Sequence, residues 1–195
     1  MMKVSIDALV AGAKSGFVVS FPTDTVPALA ANPKKSHLIF EAKQRSQDKP
    51  LILMAATAEE LWPFCLGNLE QIQIWQQVAH QYWPGALTLV LPASDKVPTE
   101  VNPVDPATIG LRVPNSQITR QILAQTGPLA TTSANLSGQP PLETMAEIDA
   151  KFPRVLTLLW EEELKNQTGG VPSTVVKWTD SGWQIIRQGA IKLRI

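Results

Sequence analysis

Apolar residues along this chain fall in short runs whose spacing switches between the helical period and that of a strand. Behind Ser5, apolar positions 6, 9, 10 and 13 followed by Gly16 predict a short helix, and Phe17–Phe21 predicts a buried strand stopped by Pro22. A helix over 36–43 buries Leu38, Ile39 and Ala42, and the breaks at Ser46, Asp48, Lys49 and Pro50 lead into a strand over Leu51–Met54. Thr57-Ala58-Glu59-Glu60 has the spacing of a capping box opening a helix toward Phe64. Asn68 caps another helix, whose Leu69, Ile72, Trp75, Val78, Ala79 and Tyr82 recur at helical spacing. Trp83-Pro84-Gly85 turns into the strand Ala86–Leu91, and residues 92–106, with four prolines, form a long loop.

The second half repeats the alternation. Thr108–Val113 reads as a strand ended by Pro114, with Thr108, Gly110 and Arg112 on one face. Ser116 caps a helix closed by Gly127-Pro128, and Leu129–Thr132 is a strand running into Ser133-Ala134-Asn135-Leu136-Ser137-Gly138. Thr144 to Glu147 is a second capping box, and Val155–Trp160 a strand. The loop Gly169–Ser173 feeds the strand Thr174–Trp178, which Asp180-Ser181-Gly182 turns back into Trp183–Arg187. Strands separated by helices, closed by a hairpin, predict an α/β fold with a mixed sheet and helices on its faces.

A length of 195 residues fits one domain, 1–195, with a substantial core. Seventeen basic and 17 acidic residues balance, which removes the global case for a nucleic-acid-coating protein and leaves room for a local basic groove. A single cysteine, Cys65, excludes a disulfide framework and a multi-cysteine zinc site, and points to a reducing cytoplasm. Neither a signal peptide nor a membrane span is present, so no membrane role is expected.

The polar clusters at 23–25, 43–45, 108–112, 131–135, 173 and 187 all fall at predicted element ends, which suggests one shared site. Lys43 and Arg45 are two positions apart, about 200° around a helix, and can serve one ligand only if the chain leaves the helix between them. Taken alone, they fit better as exposed cations complementing the helix dipole. Pro22-Thr23-Asp24-Thr25-Val26-Pro27 reads as a ligand loop or as a turn that satisfies its own backbone. Arg112 is either a site residue or an arginine on a solvated edge.

Other chemistry is absent. Ala13-Lys14-Ser15 lacks the glycines of a phosphate-binding loop, and no G-x-G-x-x-G occurs. His37 and His80 lie on different predicted helices without a second ligand nearby. Ser46-x-x-Lys49 with Ser133-Ala134-Asn135 lacks the Lys-Thr-Gly element of acyl-enzymes.

Phe21-Pro22-Thr23-Asp24-Thr25-Val26, Lys43-x-Arg45, Trp83-Pro84-Gly85-x-Leu87-Thr88, Gly110-Leu111-Arg112-Val113-Pro114, Thr132 to Gly138, Pro172-Ser173-Thr174 and Arg187-x-Gly189 stand in an order that resembles the YrdC-like family. The resemblance spans roughly residues 16–190. It implies a twisted α/β domain with a basic concave site, in the short form without a further C-terminal domain. It also implies synthesis of threonylcarbamoyl-adenylate from L-threonine, bicarbonate and ATP, for the t6A modification of ANN-decoding tRNAs. The family's tetrad falls on Lys43, Arg45, Ser133 and Asn135 as catalytic residues, which with Thr108 and Arg187 would bind ATP. Thr25, Arg112, Thr131 and Ser173 would hold threonine, with Thr23 able to replace Thr25. Mg2+ would enter with ATP rather than on protein side chains, and no tightly bound organic cofactor is implied. tRNA or double-stranded RNA and a tRNA threonylcarbamoyl-transferase complex are the implied partners. Two positions depart from the family: Pro27-Ala28 stands where Tyr-Gly is usual, and Ser46 where proline is usual. The competing functions are an RNA-binding module on the same concavity and a diverged paralogue that carbamoylates another substrate.

Overall fold

The computed structural model describes residues 2–159 and 170–194. Among them, ten strands form one mixed sheet in the order β1-β8-β2-β3-β7-β4-β6-β5-β9-β10. In chain order these are β1 (Lys3–Val4), β2 (Val19–Phe21), β3 (Ala28–Ala31), β4 (Ile52–Met54), β5 (Leu87–Pro92), β6 (Thr108–Arg112), β7 (Leu129–Ser133), β8 (Leu156–Leu158), β9 (Thr174–Thr179) and β10 (Gly182–Arg187). Five helices accompany them: α1 (Ile6–Lys14), α2 (His37–Lys43), α3 (Leu69–Tyr82), α4 (Gln117–Thr126) and α5 (Met145–Lys151). The α/β expectation holds. The sequence reading of a strand to Trp160 and of a loop beginning at Gly169 extends outside the described residues at those two positions.

Strand alternation divides the core into two. Leu53, Leu89, Leu111 and Ala130 face a large cluster that takes in Ile39 and Phe40 of α2, Trp75 and Val78 of α3 and Ile148 of α5. Met54, Leu129, Ala28 and Ala30 face the other way, against Leu9 and Val10 of α1 and Ile122 and Leu123 of α4. Ser5, Asn68, Ser116 and Thr144 each cap their helix with a side-chain oxygen.

Two strands lie where none was expected, and one expected helix is corrected. Residues 28–31 lie in a central strand, β3, paired on both sides and buried throughout. Its sequence Ala-Leu-Ala-Ala has little strand propensity, so tertiary pairing decides its conformation. The two-residue β1 was likewise not expected. The segment after Thr57 makes only a 3-10 turn over Trp62–Phe64, because Pro63 has no N–H to continue an α-helix. Glu60 still accepts hydrogen bonds from the Ala56 and Thr57 backbone, both at 3.0 Å.

Candidate active-site cleft

Along one sheet face, side chains two residues apart line a cleft of about 360 Å3. Its floor is apolar, from Ala28 on β3, Ile52 and Met54 on β4 and Val90 on β5. Polar groups stand around it: Thr25, Thr88, Thr108, Arg112, Thr131, Ser133, Ser173, Arg45 and Arg187. The polar clusters thus converge, and largely from element ends: Thr108 and Arg112 open and close β6 and Ser133 ends β7, while Thr131 lies inside β7. Gly110 lies between Thr108 and Arg112 on β6, and a Cβ there would come within 2.6 Å of Ile52 Cγ2. A side chain at 110 would fill the floor.

Lys43 and Arg45 part company at Gln44, which takes left-handed φ 50° and ψ 44°. Arg45 N–H then bonds the Phe40 carbonyl at 2.9 Å and Gln44 N–H the Glu41 carbonyl at 3.1 Å, closing the helix in a Schellman arrangement. Without glycine at this position, the turn costs about 1 kcal/mol. Lys43, fully buried, turns inward and donates to the Ser133 carbonyl and, at 3.1 Å, to Asn135 Oδ1. Ser133 Oγ donates to the same Asn135 oxygen at 2.6 Å. Asn135 in turn donates to the Leu136 and Gln139 carbonyls at 2.9 and 2.7 Å, so its amide is fixed. Arg45 and Ser133 line the cleft, whereas Lys43 and Asn135 stand behind its wall. Burial, with a smaller contribution from Arg45, lowers the Lys43 pKa to about 7.

Arg112 is no edge arginine, being only 3% exposed. Its Nε donates to the Gly85 carbonyl at 3.1 Å, Nη1 to Thr25 Oγ1 at 2.9 Å, and Nη2 to Asp24 Oδ1 at 2.6 Å. Burial pushes its pKa below the ordinary value, Asp24 opposes that and Arg187 adds to it. Arg187 donates through Nε and Nη2 to the Ser173 carbonyl at 3.1 and 2.8 Å, and Ser173 Oγ shares a 2.9 Å hydrogen bond with Thr88. Thr23 does not line the cleft; it accepts from Thr25 N–H at 3.1 Å and donates to the Val26 carbonyl at 2.7 Å.

Three contributors had no role assigned from sequence: Asp24, Thr88 and Asn102. Asp24 and Thr88 sit inside motifs already singled out, and Thr88 alternates with Val90 on the cleft face of β5. Asn102 carried no local signal. It lies in the long 92–106 loop, lines the cleft and donates to both the Thr108 carbonyl and its hydroxyl at 3.2 and 3.3 Å. That loop is pinned, with Val101 buried and its carbonyl accepting from Leu51 N–H at 2.9 Å. Among the described residues, no three His, Cys, Asp or Glu side chains group to hold a metal ion, and no helix is long and apolar enough to cross a membrane.

The family described as Sua5_yciO_yrdC, Telomere recombination, matches residues 12–189. The chain belongs to this Sua5/YciO/YrdC family. A threonylcarbamoyl-AMP synthase of Vibrio campbellii is 36% identical over 183 residues, covering 90% of this chain and 94% of that protein. The Pyrococcus abyssi threonylcarbamoyl-AMP synthase is 33% identical over 92% of this chain, which spans only 52% of that longer relative. Among solved structures, P. abyssi Sua5 complexed with L-threonine superposes with a TM-score of 0.80 at 31% identity, over 94% of this chain and 54% of that one. E. coli YciO shares the fold, with a TM-score of 0.76 at 23% identity over 94% of this chain and 88% of its own.

Proposed function

We propose that this Sua5/YciO/YrdC protein is a threonylcarbamoyl-AMP synthase. The observation that carries the reading is the meeting of three guanidiniums, Arg45, Arg112 and Arg187, with a hydroxyl-rich wall in one cleft. Such a cleft suits a substrate with a carboxylate at one end and a triphosphate at the other. Kinship with threonylcarbamoyl-AMP synthases, and with a Sua5 that binds L-threonine, supports the choice of substrates.

In this reading the threonine amine adds to bicarbonate with loss of water, forming a carbamate. A carbamate oxygen then bonds to the α-phosphorus of ATP as the α–β bridging P–O bond breaks and pyrophosphate leaves. Arg112 holds the threonine carboxylate, and Thr25, Thr131 and Ser173 complete the amino-acid pocket. Arg45 and Arg187 neutralise phosphate oxygens, while Ser133, its hydroxyl bonded to Asn135, and Thr108 orient the nucleotide. Lys43 acts from behind the wall, and a neighbouring polyphosphate favours its charged form. Catalysis rests on positioning and charge stabilisation. Mg2+ enters bound to the ATP phosphates; two carboxylates bonded to cleft residues, Asp24 and Asp105, are engaged with Arg112 and Thr108. The product serves t6A formation on tRNA in the cytoplasm, passed to a threonylcarbamoyl-transferase.

Incubation with ATP, bicarbonate and threonine, omitting each in turn, tests this. Pyrophosphate release requiring all three is expected. Release independent of threonine refutes the substrate assignment, and no turnover with tight, salt-sensitive RNA binding favours an RNA-binding module. Lys43→Ala is expected to lower turnover at least tenfold with the fold intact.

A further inference from the structure

Arg112 has five N–H bonds. Three are committed to Gly85, Thr25 and Asp24, and the other two have no partner among the described residues. Two N–H bonds are what a carboxylate needs for a paired contact, provided that the guanidinium plane is fixed. The Asp24 contact does much of that fixing. It is the shortest of the three at 2.6 Å, it is charge-assisted, and it engages Nη2, the nitrogen that neither of the other two contacts touches.

Asp24 is itself held. Thr119 Oγ1 of α4 donates to the Pro22 carbonyl at 2.5 Å, and the Thr23 hydroxyl ties the Thr25 N–H and the Val26 carbonyl into a tight turn. The turn presents Asp24 and Thr25 to the same guanidinium from one side. Thr25 also lines the cleft, whereas Asp24 does not, so Asp24 reaches the ligand only through Arg112.

We propose that Asp24 is a positioning residue that fixes the plane of Arg112 for the α-carboxylate of the amino-acid substrate. This rests on the synthase reading above. The role lies in the acceptor oxygen and its place, so an asparagine that keeps an oxygen there retains it and an alanine loses it.

The test measures pyrophosphate release by wild type, Asp24→Ala and Asp24→Asn, with threonine and ATP varied separately. Asp24→Ala is expected to raise KM for threonine at least tenfold while KM for ATP stays within twofold, and Asp24→Asn to keep both within threefold. A merely structural role would not divide the two substrates. Equal effects on both KM values, no effect on either, or an Asp24→Asn variant as impaired as Asp24→Ala overturns the proposal. If Asp24→Ala is unfolded at the assay temperature, Asp24→Ser, whose hydroxyl is too short to reach Nη2, carries the same expectation. Wild-type release that does not depend on threonine overturns the synthase reading and this proposal together; the other adverse outcomes overturn the proposal alone.

Discussion

Replacing Gly189 with alanine tests whether the wall of the cleft carrying Ser173 and Arg187 is rigid. A Cβ at 189 would lie 2.2 Å from the Pro172 carbonyl oxygen and 2.4 Å from the carbonyl carbon and oxygen of Ser173. All three are backbone atoms, and ordinary contact begins near 3.4 Å, so one segment must move by about 1 Å. That movement acts on the Ser173 carbonyl, which accepts two hydrogen bonds from Arg187, and on the Pro172 carbonyl, which accepts from Ala190 N–H at 2.9 Å. Overpacking costs about 1–3 kcal/mol, and a lost hydrogen bond to a charged group costs about 1.5–3 kcal/mol. With partial relaxation, a loss of about 3 kcal/mol is expected, a fall in Tm of about 6–12 °C for a chain of this size. Urea unfolding followed by tryptophan fluorescence, with thermal melts beside it, measures both. A destabilisation below about 1 kcal/mol, within the range of ordinary substitutions, would refute the reasoning. It would mean that the Pro172–Ser173 backbone yields easily and is not a fixed support for Arg187.

Gly110→Ala places a methyl against Ile52 on the cleft floor, and is expected to raise KM for substrate several-fold while costing about 1 kcal/mol of stability; steady-state kinetics and urea unfolding check the two halves. Lys43 has a folded pKa of about 7 against an ordinary 10.5, so between those values the unfolded chain binds more protons and stability rises with pH. Wild type is therefore expected to gain stability relative to Lys43→Met from pH 7 to pH 9.5, measured by denaturant unfolding at both, and a flat difference refutes the burial argument. Cys65, whose thiol donates to the Trp62 carbonyl at 3.2 Å, has its pKa pushed by burial up to about 11. It is expected to resist iodoacetamide at pH 8 in the folded protein and to react when denatured, as mass spectrometry would report.

Much of the fold was legible because most elements are amphipathic and well capped. Asn68 and Gln71 do form the reciprocal cap of α3, and Thr144 and Glu147 that of α5. What escaped was structure without a local signature. β3 is three alanines and a leucine that become a strand because β2 and β7 bind it on both sides. The 57–64 segment carried a helical signal that Pro63 overrode.

For the site, the chain by itself determined the residue types and the places where backbone direction changes. The break after Lys43, the alternation that puts Thr108, Gly110 and Arg112 on one face, and the hydroxyls at 25, 131, 133 and 173 are all properties of local sequence. Which side chain faces a ligand and which faces its neighbours was decided by tertiary structure. Lys43 and Asn135 are about ninety positions apart in sequence, yet the helix end turns the lysine inward onto the strand end that carries the asparagine. Arg112 and Asp24 are likewise joined only because β6 and the turn after β2 meet across the sheet. Burial then sets the protonation of Lys43 and fixes the geometry of Arg112, and burial belongs to the folded chain.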